Sequence, residues 1–183
     1  MKLILASASP RRAELVRRLG LAVVIRPADV GEVALGDCES TAAANARLKA
    51  FAVDPDGGVV LGADTVVSSA DGSPLGKPRS EEDAFAMLKD LCGRAHTVVT
   101  AVCLTDGKKT VEAAEKTEVT FAPFDEALVR AYIATGKPFD KAGGYGIQDE
   151  ELAPLVEKIT GDYDNVVGLP VKLVGRLLWE NFL

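Results

Sequence analysis

Cysteine and histidine are scarce in this chain, which is typical of a reduced protein and argues against a zinc site. The sequence has three cysteines, Cys38, Cys92 and Cys103, and one histidine, His96. The cysteines are scattered, odd in number and without a Cys-x-x-Cys pair, which is typical of a reduced protein and predicts a cytoplasmic location. One histidine with such cysteines argues against a zinc site of the usual ligand set. We therefore expect His96 to have a structural role.

An excess of positive charge is also missing, as is any long hydrophobic run. Lys and Arg total 21 against 27 Asp and Glu, for a net charge of −6. Proteins that bind nucleic acids stably usually carry a basic face, so we expect no such partner here. A local group of Lys and Arg can still bind a small anion within an acidic whole. The apolar runs are too short for a membrane span or a signal peptide, so we expect no membrane partner.

Three common catalytic or nucleotide-binding loops are absent. The chain has no Gly-x-Ser-x-Gly elbow, no Walker phosphate loop and no Gly-x-Gly-x-x-Gly fingerprint. This argues against a serine hydrolase, a P-loop protein and a dinucleotide-dependent enzyme.

What is present is the composition of an ordinary globular protein. Apolar residues make up 48% and charged residues 26% of 183 residues, with no repeat, linker or low-complexity segment. We predict one domain over residues 1–183. Strand–helix units alternate with a hairpin signal at Asp106-Gly107, which predicts an α/β fold around a mixed sheet.

The first candidate site is at the start of the chain. Leu3 to Leu5 read as a buried strand, and Ser9 followed by Pro10 is a favourable helix start. Ser7, Arg11 and Arg12 therefore lie where a strand end meets a helix N-terminus, which favours a polyanion such as phosphate. The alternative is a capped surface helix with two solvated arginines.

Two further ionisable residues lie at element ends. Asp64 follows the apolar strand Val59–Ala63, and it is either a general base or metal-directing carboxylate, or a strand-terminal Asp that binds its own loop. Lys77 stands between Gly76 and Pro78, where the backbone restrains its direction, or else it is an ordinary exposed lysine.

Two helices and a glycine-rich segment complete the pattern. Ser40 or Thr41 is predicted to cap a helix that carries Lys49 and reaches about Phe51, and Pro170 opens the last helix. Residues 139–148 hold three glycines in four positions and end at Gln148. Such a backbone suits close approach to a ligand, and the Gln148 amide can read a base edge; the alternative is a flexible surface loop.

Taken in order, these clusters resemble the Maf family of nucleoside triphosphate pyrophosphatases. The resemblance covers essentially the whole chain. Its matching segments are residues 7–12, 29–32, 45–49, 62–65, 76–78, 96–100, 140–148 and 165–170.

The resemblance implies a fold, a reaction and a cofactor. The fold is a single elongated α/β domain with a central twisted mixed sheet flanked by helices, and with two lobes and a cleft, similar to ITP pyrophosphatases. The reaction is cleavage of a nucleoside triphosphate between its α and β phosphates, which releases a monophosphate and pyrophosphate. The cofactor is a divalent cation, Mg²⁺, Mn²⁺ or Co²⁺, and the family's many homodimers make a homodimer an expectation here.

The resemblance also assigns roles by position. Asp64, Lys77 and Glu32 are the expected catalytic residues, with Asp64 and Glu32 also expected to hold the metal. The expected substrate-binding residues are Ser7, Arg11, Arg12, Lys49, Lys77, Lys141 and Gln148. Lys141, Tyr145 and the Ile147-Gln148 pair resemble the branch that acts on dTTP and UTP. Asp149 is a departure, because relatives often have glycine there.

The sequence therefore predicts a metal-dependent enzyme that hydrolyses nucleoside triphosphates, dTTP and UTP first, and clears non-standard nucleotides from the cellular pool. Two alternatives remain at this stage. One is a non-catalytic nucleotide-binding regulator of cell division or septum formation. The other is hydrolysis of a modified nucleotide, such as a 5-substituted UTP.

Overall fold

The computed structural model describes all 183 residues. Its central feature is a seven-stranded sheet. Its strands are β1 (Lys2–Leu5), β2 (Ala22–Ile25), β3 (Val59–Ser68), β4 (Pro74–Leu75), β5 (Ala95–Thr105), β6 (Thr110–Phe121) and β7 (Val156–Thr160). Its α-helices are α1 (Pro10–Arg17), α2 (Cys38–Phe51), α3 (Glu81–Leu91), α4 (Glu126–Ala134), α5 (Tyr163–Val167) and α6 (Val171–Asn181). Short 3-10 helices cover Lys137–Asp140, Ala142–Gly144 and Glu150–Leu155. No helix combines the length and apolar character needed to cross a bilayer.

The sheet is mixed, as predicted. The strand order is β2-β1-β3-β5-β6-β7, with β4 paired to the far end of β3. β1 is parallel to β2 and β3, whereas β4 to β7 pair antiparallel. The predicted α/β architecture, with helices flanking a mixed sheet, is confirmed.

Several local signals act as the sequence indicates, and one does not. The Ser9 side chain accepts a hydrogen bond from the backbone N–H of Arg12, and Pro10 is the first residue of α1. α2, however, begins earlier than predicted, because Asp37 caps it by accepting from the N–H of Ser40 at 2.8 Å. The Thr41 hydroxyl instead accepts from the N–H of Leu35 and fastens the preceding loop.

The expectation that Asp64 ends a strand is wrong. β3 continues to Ser68, and Asp64 lies in its middle, opposite Ala101 of β5. An acidic residue interrupts the apolar run without ending the strand, because a cation from α2 meets it. β7 and α5 were not predicted, since both are short and β7 is largely exposed on the edge of the sheet.

One edge of β3 is left open, and this gap decides where a site can form. β1 pairs with β3 only as far as Leu61, whereas β4 pairs with the same edge only from Val67. Residues 62–66 therefore have no strand beside them on that edge. Because side chains alternate between faces, residues from both faces of the sheet can reach the gap.

Hydrophobic cores cover both faces of the sheet. On one face, a cluster around Leu61 and Leu104 packs under α1 and α6, and a second cluster around Val98 and Phe121 packs under α3 and α4. On the opposite face, α2 packs over a third cluster that includes Val60.

α2 lies unusually close to the sheet at Gly62. A Cβ placed there would stand 2.1 Å from the carbonyl oxygen of Ala46 and 2.6 Å from the backbone nitrogen of Ala50. Neither backbone atom can yield without shifting the helix. Glycine is therefore required by the close approach of the two elements.

Replacing Gly62 with alanine is expected to lower the free energy of unfolding by about 1–3 kcal/mol, because the added methyl overpacks the contact with α2. Urea unfolding measures this loss. Gly36→Ala is the matched control, since a Cβ there meets no atom within 4 Å and its backbone is not left-handed. Equal stability of the two variants would contradict the tight contact.

His96 is buried beneath the second cluster, as its expected structural role requires. Its Nε2 lies 2.8 Å from the Tyr145 hydroxyl, and its ring meets Phe121 edge to face at 4.9 Å between centroids. Its Nδ1 has no hydrogen-bond partner. Burial lowers the pKa of His96 from 6.5 to about 4, with the charge of Arg94 acting in the same direction.

Acidification is expected to destabilise the fold partly through this residue. Between about pH 6.5 and 4 the unfolded chain binds a proton at His96 that the folded chain does not, so the stability contributed by neutral His96 falls as pH decreases. The full loss is on the order of 3 kcal/mol. His96→Gln, which does not titrate, should show a flatter dependence of unfolding free energy on pH over this range. Parallel curves for the two proteins would assign the acid sensitivity to other groups.

Candidate active site

A cavity of about 330 Å³ opens at the gap in the edge of β3. Its size falls within the usual range for small-molecule sites. Of the candidate residues, it brings together Arg11, Arg12, Glu32, Lys49, Asp64, Lys77, Lys141 and Gln148. Ser7 does not line it: the Ser7 hydroxyl is turned inward and accepts a hydrogen bond from the N–H of Ser9, which does line it.

Two carboxylates converge on one ammonium group at the floor of this cavity. Lys49 Nζ lies 2.6 Å from Asp64 Oδ1 and 2.7 Å from Glu32 Oε1. The Lys49 and Asp64 side chains are only 11% and 9% exposed, so an unpaired charge here would be expensive. Burial alone would raise the pKa of Glu32, but its hydrogen bond to Lys49 and the charges of Lys49, Lys77 and Arg12 lower it overall. Lys49, expected to contact substrate, thus also holds the acidic pair.

Asn45 ties the loop carrying Glu32 to the same group. It lies one helical turn before Lys49 on α2. Its side chain exchanges two hydrogen bonds with the backbone of Val33, at 2.8 and 3.0 Å, and also donates to Asp64 Oδ2 at 3.3 Å. Two sequence signals pointed to Asn45: it begins the matching segment 45–49, and its spacing of four residues from Lys49 places both on one helix face.

Arg12 reaches the cavity from α1 and is held by neutral groups. Its Nε donates to the carbonyl oxygen of Gly168 at 2.7 Å, and its Nη2 donates to the Thr65 hydroxyl at 3.0 Å. Burial lowers the pKa of Arg12, an effect that the negative charge of Asp64 partly offsets. The guanidinium stays charged, since its ordinary pKa is far above neutrality.

The cations of the cavity divide into two kinds. Arg11 pairs with Asp140 at 3.1 Å, and Lys141 pairs with the same carboxylate at 2.8 Å. Arg12 and Lys77, by contrast, form no ion pair with any carboxylate of the chain. These two positive charges are therefore available to a bound anion.

The glycine-rich segment forms the opposite wall, where Asp149 and Tyr132 fix its backbone. Tyr132 donates its hydroxyl to Asp149 Oδ2 at 2.6 Å and accepts the N–H of Gly146 at 3.0 Å. A Cβ at Gly146 would lie 2.5 Å from Asp149 Oδ2 and 2.6 Å from Lys141 Cε. Gln148, next to this anchor, is exposed and its amide has no hydrogen bond within the chain. Sequence reasoning did not identify Tyr132, which is distant in sequence and carries no motif.

The donor set at Asp64 and Glu32 fits a hard divalent cation. Both carboxylates already converge on a single cationic atom, Lys49 Nζ. Magnesium commonly uses one or two protein carboxylates and takes its other ligands from water and substrate phosphates. No group of three or more His, Cys, Asp or Glu side chains is present, so such an ion would depend on substrate for part of its coordination.

Both the fold and the sequence of this chain are similar to those of known proteins. The fold is similar to the structure of the Staphylococcus aureus Ham1 protein, with a TM-score of 0.58, 14% identity, and coverage of 98% of this chain and 99% of that one.

Sequence relatives are much closer. The chain is 48% identical over 181 residues to a Thermosipho africanus protein named dTTP/UTP pyrophosphatase, covering 98% of this chain and 93% of the relative. It is 47% identical to a Thermococcus gammatolerans protein of the same name, covering 96% and 94%. A family model described as Maf-like protein matches residues 2–181. The cavity holds eight of the nine candidate site residues, and on the evidence of these matches the chain belongs to the Maf family.

Proposed function

We propose that this chain hydrolyses dTTP and UTP between the α and β phosphates, giving the nucleoside monophosphate and pyrophosphate. The observation that carries the proposal is the juxtaposition of two unpaired cations, Arg12 and Lys77, with the convergent carboxylates of Asp64 and Glu32 in one cavity. The relatives named dTTP/UTP pyrophosphatase support the choice of these two nucleotides.

The triphosphate is bound by charge and by the start of α1. Neither Arg12 nor Lys77 forms an ion pair within the chain, so both can bind phosphate oxygens directly. Ser9 and the start of α1 lie at the same end of the cavity, where the positive end of the helix dipole adds to this attraction. Such electrostatic stabilisation is the main means by which enzymes accelerate phosphoryl transfer.

The reaction is attack of a water molecule on the α phosphorus. The new bond joins the water oxygen to phosphorus, the bond to the α–β bridging oxygen breaks, and pyrophosphate leaves with the electron pair. Asp64 accepts a proton from the water. Hydrogen bonds from Lys49 and Asn45 hold the two carboxylate oxygens of Asp64 in place. Arg12 and Lys77 offset the charge on the leaving pyrophosphate.

Asp64 and Glu32 would hold a divalent cation, which would supply further positive charge for the phosphates. Lys49 keeps these two side chains convergent. On the opposite wall, Gln148 offers an unpartnered amide to the pyrimidine edge, and the Tyr132–Asp149 pair fixes the backbone that presents it.

We propose that the cellular task is removal of non-standard nucleotides from the pool. The predicted cytoplasmic location suits that task. A homodimer stays a prediction from the sequence.

A panel of triphosphates with pyrophosphate detection tests the activity. We expect dTTP and UTP to release the most pyrophosphate, CTP and 5-substituted UTP to report the tolerance of the base wall, and EDTA to abolish release. Nucleotide binding without pyrophosphate release from any member would support a regulatory protein instead. Full activity in EDTA would remove the metal from the proposal.

Asp64→Asn is expected to lower kcat by about 10²–10⁴-fold, since the amide cannot accept the proton of the water. Nucleotide binding, measured by calorimetry, should be retained, because Arg12 and Lys77 are unchanged. Asp54→Asn serves as the control: Asp54 is exposed, does not line the cavity and lies outside the segments that match the family. If kcat stays within roughly tenfold of the value for the unmodified protein, Asp64 has another role.

A further inference from the structure

A row of polar side chains, half-buried at Thr65 and fully buried beyond it, crosses the sheet between the two hydrophobic clusters of one face. Thr65 and Thr100 are opposite each other on β3 and β5. Ala63 and Val102 on one side of this pair belong to the first cluster, whereas Val67 and Val98 on the other side belong to the second. A β-branched apolar residue would suit such a position, so the hydroxyl groups need a physical reason.

The hydroxyl protons give this row a fixed direction. Thr100 has one hydroxyl proton and donates it to the carbonyl oxygen of Asn165 at 2.9 Å. The 2.9 Å contact between the two threonine hydroxyls must then be a donation from Thr65 to Thr100. Thr65 has then used its only hydroxyl proton. In its 3.0 Å contact with Arg12 Nη2 it is therefore the acceptor. The order is Arg12 to Thr65 to Thr100 to Asn165.

The far end of the row is anchored firmly. Asn165 is fully buried, and its Nδ2 donates to the carbonyl oxygen of Val98 at 3.1 Å and to the Thr117 hydroxyl at 2.9 Å. Thr117 in turn exchanges hydrogen bonds with the backbone of Asp162, at 2.9 and 3.1 Å. The amide of Asn165 thereby fixes the carbonyl oxygen that ends the row.

Both ends of the guanidinium are held from one short segment. Arg12 Nε donates to the carbonyl oxygen of Gly168, and Arg12 Nη2 reaches the carbonyl oxygen of Asn165 through the two threonines. Two anchors on a planar group fix its orientation, which one anchor does not. The other N–H groups of Arg12 have no partner in the chain, and Arg12 lines the cavity.

We propose that Thr65, Thr100 and Asn165 form a positioning row that fixes the plane of the Arg12 guanidinium for the substrate's polyphosphate. This inference rests on the proposed function for its substrate but not for its geometry. Thr100 and Asn165 do not line the cavity and act only through Arg12. A row of aligned hydrogen bonds in a water-poor interior also polarises its members, which strengthens the bond to Thr65.

Thr100→Val tests the row, because it removes the hydroxyl at nearly constant volume and leaves Thr65 without an acceptor. We expect kcat/KM for dTTP to fall by about 10- to 100-fold, as misplacement of a substrate-orienting group does. Thr100→Ser, which keeps the hydroxyl, should restore most of the activity.

Thr105→Val is the matched control. Thr105 is buried on the same strand, and its hydroxyl donates to the carbonyl oxygen of Lys109 in the hairpin. It should lose stability, as Thr100→Val does, yet keep its activity. Equal loss of activity in the two valine variants would reduce the row to a stability effect and overturn the proposal.

Coupling to Arg12 separates positioning from general damage. In an Arg12→Ala background, Thr100→Val should have almost no further effect on kcat/KM, because the group it positions is gone. An undiminished effect in that background would contradict the proposal.

A measurement without substrate keeps this inference distinct from the proposed function. Hydrogen exchange at the Arg12 Nη2 protons, followed by NMR, should be faster in Thr100→Val than in the unmodified protein and unchanged in Thr105→Val. Unchanged exchange in Thr100→Val would overturn the row even if the enzyme is active. Faster exchange in a protein that releases no pyrophosphate would support the row and contradict the proposed function.

Discussion

A carboxylate in the middle of an apolar strand is the constraint around which this site is arranged. Asp64 lies on β3 facing α2, where burial would be costly for a lone charge. Lys49 meets it from α2, and the helix can come close enough because Gly62 has no side chain. The same ammonium also binds Glu32 from the preceding loop. One buried cation therefore fixes a strand, a helix and a loop relative to one another, and in doing so makes two carboxylates converge.

The open edge of β3 turns that arrangement into a site. Neighbouring residues of a strand point to opposite faces, so Asp64 and Thr65 would normally serve separate layers of the protein. Where β1 has ended and β4 has not begun, both faces border the same space. Acidic groups arrive from the α2 side and Arg12 from the α1 side. The polar row from Thr65 to Asn165 runs where the two hydrophobic clusters of that face meet. Hydrogen-bonded polar groups therefore border the cavity from both faces of the sheet.

The overall acidity of the chain and its affinity for a polyanion are compatible because charge is paired locally. Most basic side chains at the cavity already pair with carboxylates: Arg11 and Lys141 with Asp140 and Asp149, and Lys49 with the acidic pair. Arg12 and Lys77 are the exceptions. Asp149, the departure from the usual family residue, is likewise occupied, since it accepts the Tyr132 hydroxyl and helps hold the glycine-rich wall.

Local chemistry in the sequence determined most of the elements, their order and the mixed sheet, because caps, turns and apolar periodicity act over a few residues. The Ser9 cap and the hairpin at Asp106-Gly107 needed nothing more, whereas the grouping of the candidate residues came from the family resemblance. Only the tertiary structure decided that Asp64 lies within a strand, that Lys49 binds the carboxylates, that Ser7 turns away, and that Tyr132 supports the base wall. These features depend on contacts between segments far apart in sequence. Strand register and the approach of the helices fix which side chains meet there, and no local sequence pattern encodes such contacts.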